Sequence, residues 1–509
     1  MLLNRRGKMA QIRSVAEIND RIRSGDAVVV TAEEMVEIVR SRGPAAAAKE
    51  VDVVTTGTFG AMCSSGAWLN FGHSDPPIKM QRVWLNDVEA YTGVAAVDAY
   101  IGATQLSETR GFEYGGGHVI EDLVRGKEIH VRATAYGTDC YPRKEVETVV
   151  TKDDINQAVL CNPRNAYQRY AAATNSGNET LYTYMGTLLP HFGNVTYSGA
   201  GCLSPLSRDP TYETIGVGTR IFLGGAQGYV IWEGTQHDPS AGKGTIMTIG
   251  NLKEMSPRYV RGATIERYGT TLYVGVGIPI PILNENLARS AGAGDDELVT
   301  ELVDYGVPRR DRPVLRKVTY AELKSGRIEI NGREVRVSPL SSLKRAREIA
   351  ETLKEWIERG EFYLSEPAER LPTDEIFRPM RQAYRVPFVK DVMTREVVTA
   401  RAEDPVERAA AIFAERGFDH LPIVDEDGKV VGIVTSWDIA VAVGKGKRRL
   451  SEVMTSKVIT AGEDEPIDAV ARRLETHNIS GAPVVDQRGR LRGIVTTDDI
   501  SRLFGRRRE

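Results

Sequence analysis

The chain has 509 residues, 41% apolar and 27% charged. That is the balance of a globular protein rather than a collagenous or disordered one, and the length suits about two to four domains. With 66 basic side chains against 69 acidic ones the formal net charge is −3, so the basic footprint of a nucleic-acid binder is missing. No apolar run approaches the ~18 residues of a membrane span, and the start lacks the apolar stretch of a secretory signal. A cytoplasmic protein with neither nucleic acid nor membrane as partner is the expectation.

The first residues, Met1 to Lys8, are basic and precede any periodic pattern. They are expected to carry neither structure nor function, with Met9 a candidate start. Residues 14–23 have helical spacing, and residues 26–30 read as a strand. Residues 31–42 read as a second helix, where Thr31 with Glu34 three residues on matches a capping box. Residues 51–55 form a second strand, and the alternation argues an α/β domain. The middle is rich in glycine and hydroxyls, with short β-like runs such as 229–232 and 271–276, and no topology follows from it. Residues 341–359 form a helix with Leu343, Ala346, Ile349, Ala350, Leu353 and Ile357 along one face. Pro372, Pro379 and Pro387 mark a linker. The fold class is therefore mixed α/β. A large α/β N-terminal catalytic domain spans 10–367 and a linker 368–387, and two smaller units follow at 388–446 and 447–507.

Those two units are an internal repeat. Asp391-Val392-Met393-Thr394 answers Glu452-Val453-Met454-Thr455, Pro422 to Asp425 answers Pro483 to Asp486, and Gly432 to Thr435 answers Gly493 to Thr496. The offset is the same throughout, with no gap, and each unit reads β-α-β-β-α. A Gly-x-x-Thr-x-x-Asp motif sits in each where a strand feeds a helix, so free N–H groups there face any phosphate. Thr435 with Asp438, and Thr496 with Asp499, also suit plain helix caps. The repeat resembles a pair of CBS domains, which bind adenosine nucleotides. The resemblance implies ribose-binding roles for Asp438 and Asp499, helped by Thr435 and Thr496. AMP, ATP or S-adenosylmethionine is the implied ligand, and a homodimer through the CBS pair the implied assembly. His420 stands where the second unit has Gly481, and Trp437 where it has Asp498. The two half-sites are expected to differ, His420 crowding one and Asp498 adding negative charge to a less crowded second.

The four cysteines are Cys63, Cys140, Cys161 and Cys202. They show no C-x-x-C spacing, so neither a structural zinc nor a cluster bound by this chain is expected. Cys63 follows the strand at 51–55 in a glycine- and serine-rich turn; a helix starting after Ser64 would lower its pKa. Cys140 lies in a polar turn whose Arg143 and Lys144 would stabilise a thiolate, against Asp139. Cys161 ends an apolar run and reads as a packed thiol. Cys202, among glycines, fits either a site or a tight turn.

At these residues a second resemblance enters. Asn19 to Glu34 with its core from Ser24, Thr55 to Phe59 before Cys63, Gly137 to Pro142, Asn162 to Tyr167 and Trp232 to His237 are similar to the homocysteine-biosynthesis sulfur-incorporation family. Followed by a CBS pair, this is the arrangement of archaeal L-aspartate-semialdehyde sulfurtransferases. The resemblance implies conversion of aspartate semialdehyde to homocysteine with a sulfide source, and a persulfide on Cys140. It also implies a second essential thiol at Cys63 and a small ferredoxin-like iron–sulfur protein as partner, so the cluster sits on the partner and no organic cofactor on this chain. Arg143 and Arg164 are candidates to hold the substrate carboxylate, and His237 with Asp238 to supply a proton. Two other classes stay open on the residues alone: a non-enzymatic, nucleotide-sensing interaction protein, and an acyl- or CoA-transferase-like enzyme. The latter would need a carboxylate nucleophile, for which no Glu motif stands out.

Overall fold

In the computed structural model of the chain, which describes residues 13–380 and 387–505, the opening alternation forms as read. Ser14 caps the helix Val15–Ser24, and Thr31 caps Ala32–Arg42 through the expected box with Glu34. The strands Val29–Thr31 and Val53–Thr55 pair in parallel, and Pro279–Pro281 joins them antiparallel. The helix Pro44–Glu50 between them escapes periodicity because its apolar residues are a run of alanines, which carry propensity without a stripe. Met1 to Lys8 and part of the expected linker, 381–386, lie outside the described residues.

The chain divides into two compact units, one running to Gly306 with Arg312–Pro379, the other holding Val307–Asp311 with the residues from Met380 on. In the first unit the unassigned middle is an antiparallel sheet of nine strands. Val260–Ile265, Gly269–Gly277, Arg220–Leu223, Ala226–Glu233, Ile246–Asn251, Gln157–Asn165, Gly66–Asn70 and Asp98–Gly102 lie side by side in that order. Thr58–Ala61 pairs with the second of them. Its centre hides from sequence reading because both faces are covered there. Gly269–Gly277 is buried at all but one of its positions, so no apolar–polar alternation shows.

The helix Gly116–Val124 packs Val119, Ile120 and Leu123 into the core beneath this sheet. It comes so close that a Cβ on Gly117 would stand 2.2 Å from the Thr271 carbonyl oxygen. The predicted amphipathic helix, observed as Leu343–Glu358, covers the other face at one end. Its Trp356 ring lies 5.1 Å from Phe222, and Ile349 meets Gly275 and Gly277. A six-stranded sheet carries the hairpin between Ile129–Thr134 and Glu145–Val150. A second one, containing Ala172–Thr174, Val195–Tyr197 and Val299–Asp304, has a core of its own around Tyr197 and Leu302.

The expected linker begins too early. Glu369–Arg370 pairs with Gly216–Val217, and Leu371 is buried, so backbone pairing ties this stretch to the large unit despite its prolines. In the second unit the repeat takes the expected form. Val406–Arg416, His420–Val424, Val430–Thr435 and Ser436–Gly444 are answered by Ile467–Thr476, Gly481–Val485, Leu491–Thr496 and Thr497–Gly505. Each half has its own apolar core.

Candidate active site

A cavity of about 490 Å3 opens in the large unit, within the range of small-molecule sites. Cys63 lines it, on the turn that joins Thr58–Ala61 to Gly66–Asn70. Backbone bonds hold that turn, Met62 N–H to the Leu272 carbonyl at 2.8 Å and Ser65 N–H to that of Met62 at 3.0 Å. A strand, not a helix, follows Cys63, so the expected helix-terminus activation is absent. Burial instead pushes the Cys63 thiol up, against a hydroxyl bond donated by Thr271 at 3.3 Å and the positive charge of Arg164.

Arg164 reaches the cavity from a bulge near the end of Gln157–Asn165. It donates to Thr235 Oγ1 at 3.2 Å and to Gln236 Oε1. Opposite stands a tyrosine cluster drawn from separate loops. Arg312 donates to the Tyr184 hydroxyl at 2.8 Å, which also accepts from Tyr305 at 2.8 Å. Tyr170 and Tyr268 complete that wall. Burial pushes Tyr167, Tyr170 and Tyr305 above the usual phenol range, so they stay neutral donors. The described lining holds two arginines and a thiol, and no carboxylate. That electrostatic balance favours a small anionic ligand near Cys63.

Other expected site residues sit elsewhere. Cys140 is exposed, at the tip of the hairpin loop, outside the cavity lining. Its hairpin packs on the loop that leaves Gly66–Asn70, with the Tyr141 and His73 rings stacked at 5.7 Å. The strand between that loop and Cys63 is about 14 Å long at ~3.4 Å per residue. Arg143, expected to hold substrate, instead donates to the Asp75 carbonyl at 2.6 Å beside this hairpin. His237 is corrected likewise. It is 6% exposed, accepts from Thr245 N–H at 3.0 Å and reaches the Pro372 carbonyl at 2.9 Å. With both ring nitrogens engaged by backbone, it pins residue 372 rather than serving the cavity.

Cys161 is only half-buried, on an open sheet face, which corrects the packed reading. Cys202 is buried, its N–H bonded to Asp295 at 2.8 Å, and its thiol is pushed up to about 11, chiefly by burial. Arg312 and Tyr184 went unread in the sequence, because a charged loop and a hairpin tip become a site only once folded together. Among the described residues no group of three or more His, Cys, Asp or Glu is placed to hold a metal ion. Nor is any helix there long and apolar enough to cross a membrane.

The model of the homocysteine biosynthesis enzyme, sulfur-incorporation family matches residues 27–364. The chain belongs to that family. The sulfur-incorporation domain is followed by CBS-domain matches at 389–445 and 450–506. L-aspartate semialdehyde sulfurtransferase of Methanosarcina acetivorans is 58% identical, over 97% of this chain and 99% of the relative. The protein of the same name in Methanocaldococcus jannaschii is 55% identical, over 97% and 99%. A CBS domain pair solved in complex with 5′-methylthioadenosine and S-adenosyl-L-methionine is 50% identical. It covers 24% of this chain and 99% of that one, with a TM-score of 0.24.

In the CBS pair of this family member, both Thr-x-x-Asp motifs close as caps. Thr435 N–H and hydroxyl donate to Asp438 Oδ2 at 2.8 and 2.7 Å, and Thr496 does the same to Asp499 at 2.9 and 2.8 Å. Each cap leaves Oδ1 of its aspartate without a bond among the described residues. A cavity of about 340 Å3 takes Thr496 and Asp499, and its lining does not include Thr435 or Asp438. His420 and Asp498, expected to mark different half-sites, both line it. The reason is the pairing of the repeats: a Cβ on Gly481 would stand 3.0 Å from His420 Nε2, so the histidine fills the space its counterpart glycine leaves. The cavity of the second motif is thus the one that His420 crowds. It also gathers Glu396 and Asp419, against a single Arg502, and burial pushes the His420 pKa down.

Proposed function

We propose that the chain carries sulfur as a cysteine persulfide to L-aspartate semialdehyde, with electrons from a separate ferredoxin-like iron–sulfur protein. By family and by near-full-length relatives it is a sulfurtransferase acting on L-aspartate semialdehyde in homocysteine biosynthesis. The observation that carries the finer reading is the cavity: a thiol, two arginines and neutral tyrosines, with no carboxylate in the described lining. Arg164 and Arg312 suit the substrate carboxylate, and the tyrosine faces suit its ammonium. The neutral hydroxyls suit a proton to the departing oxygen.

A sulfane-sulfur donor passes its outer sulfur to the Cys140 thiolate and departs as a thiolate, which gives the Cys140 persulfide. The Cys63 thiolate attacks the inner sulfur of that persulfide; the persulfide S–S bond breaks, a Cys63–Cys140 disulfide forms, and the outer sulfur leaves as hydrosulfide. Hydrosulfide adds to the aldehyde carbon, and water leaves to give a thioaldehyde. Two electrons and two protons reduce the thioaldehyde to homocysteine, and two more of each restore the thiols. The iron–sulfur partner supplies all four electrons. The scheme requires the Cys140 hairpin to swing inward, because a disulfide needs Cα atoms within about 7 Å.

A second reading has one observation in its favour. Cys63, not Cys140, lines the cavity, so Cys63 would bear the reacting sulfur and Cys140 would relay it from the donor. One experiment separates them: turnover with polysulfide as the sulfane-sulfur donor, a low-potential reductant and aspartate semialdehyde, quenched for mass spectrometry. A Cys63–Cys140 disulfide supports the first reading and a Cys63 persulfide the second. Homocysteine formed with neither species sinks both.

For the CBS pair we propose regulation by an adenosine ligand with few phosphates, such as S-adenosylmethionine or AMP rather than ATP. The free Oδ1 of Asp499 suits a ribose hydroxyl, and the four carboxylates repel phosphate while favouring a sulfonium. Calorimetric titration of wild type, Asp438→Ala and Asp499→Ala with the three ligands tests it. Binding lost in Asp499→Ala alone is expected; tightest binding of ATP overturns the reading.

A further inference from the structure

The nine-stranded sheet is covered unevenly. Among the described residues, the strands beyond Ala226–Glu233 carry no helix on the face that Leu343–Glu358 packs against at the Phe222 end. Register puts Tyr229, Ile249 and Cys161 in one row across three neighbouring strands. Trp68 and Tyr100 pair beside them with rings 5.0 Å apart, and Tyr91 stacks on Tyr100 at 6.4 Å. Trp68 is 40% exposed, Tyr91 61%, Tyr229 39% and Trp232 49%. A sheet with one solvated face normally turns polar residues outward; here the middle of that face is aromatic, aliphatic or thiol, with Gln227, Asn251, Asn70 and Asp98 toward its margins.

The four exposed rings leave on the order of 400 Å2 uncovered, and the half-buried neighbours raise the patch to roughly 600–700 Å2. Patches of that size mark interaction sites. A standard interface buries about 800 Å2 per partner, so the patch supplies most of one side of such a contact. The centre of the patch carries no charged side chain, which is what a surface needs to face a copy of itself without like charges meeting. Tyrosine and tryptophan are also the side chains enriched at interface centres.

We propose that a second copy of this chain covers this face, the two sheets packing against each other with Cys161 inside the contact. The contact stands apart from any association through the CBS pair and adds one step to it.

Sedimentation velocity of the full-length chain at micromolar concentration tests this, comparing wild type with the Trp68→Glu/Trp232→Glu double variant. Both positions are exposed, and an unchanged melting temperature shows the variant folded; Tyr229→Arg serves if it does not. The variant is expected at half the wild-type mass. Iodoacetamide labelling of Cys161, read by mass spectrometry, is expected to be about tenfold slower in wild type than in the variant, since contacts at an interface centre exclude solvent. Dilution should speed it. Equal masses overturn the proposal. So does protection that survives dilution, which would make the cover part of the same chain, and so does protection that appears only when another protein is added.

Discussion

The turn at Cys63 and the hairpin at Cys140 are both loops that join β-strands, yet they place their thiols in opposite surroundings. Cys63 is enclosed between a central strand pair and a wall of tyrosines, and burial pushes its thiol up. Cys140 stands in solvent on a hairpin held by Arg143 to the Asp75 carbonyl and by Tyr141 to His73. A sulfur carrier must meet a donor, whereas a substrate site must exclude water. The difference suggests a division of that labour between two thiols, so that neither environment compromises the other.

The strongest way to break this comparison is to remove each thiol. Cys63→Ser and Cys140→Ser are each expected to lower homocysteine formation at least about a thousandfold, the scale seen when a covalent group is removed, with melting temperature unchanged. Wild-type turnover in either variant ends the two-thiol reading. Free hydrosulfide sharpens it: rescue of both variants fits hydrosulfide as the nucleophile, and rescue of Cys140→Ser alone fits a sulfur-bearing Cys63.

The arginines come next. Arg312→Ala and Arg164→Ala should each raise the KM for aspartate semialdehyde about 10–100-fold, since charge-assisted hydrogen bonds contribute about 1.5–3 kcal/mol. Arg143→Ala should leave it within about twofold, as a surface substitution does. Steady-state kinetics that reverse this order would move the substrate to the hairpin.

A smaller effect concerns protonation. Because the Cys63 thiol is raised from its ordinary value of 9.0, its thiolate fraction still climbs as pH passes that value. Iodoacetamide labelling of Cys63 in the Cys140→Ser background should therefore keep rising above pH 9. Thr271→Val removes a hydrogen bond that favours the thiolate, so labelling at fixed neutral pH should slow. Faster labelling would contradict the assigned bond. The smallest effect is expected for Cys161→Ala, about 1 kcal/mol of stability or less at a half-buried position and near-wild-type turnover per active site, by melting and assay.

Much was legible in the residues alone. The helices at the start obey capping chemistry local to a few positions, Ser14 with Glu17 and Thr31 with Glu34. The CBS repeat declares itself by an ungapped offset, and its helix caps close between residues three apart. The helix Leu343–Glu358 shows its buried stripe because one face alone packs. Periodicity and short-range bonds are properties of a segment, so a segment suffices to read them.

Only the tertiary structure decided the rest. The nine-stranded sheet joins strands from residue 58 to residue 277, with its centre covered on both faces, so no alternation announces it. The cavity draws Cys63, Arg164, Tyr184 and Arg312 from four separate segments, and no spacing along the chain encodes their meeting. His237 and Arg143 looked chemical in sequence, but long-range backbone carbonyls claimed them. His420 took the place beside Asp498 because Gly481 left room for it across the repeat. In each case the deciding energy is a contact between distant segments, burial or a hydrogen bond formed only after folding. A single chain position carries no record of that contact.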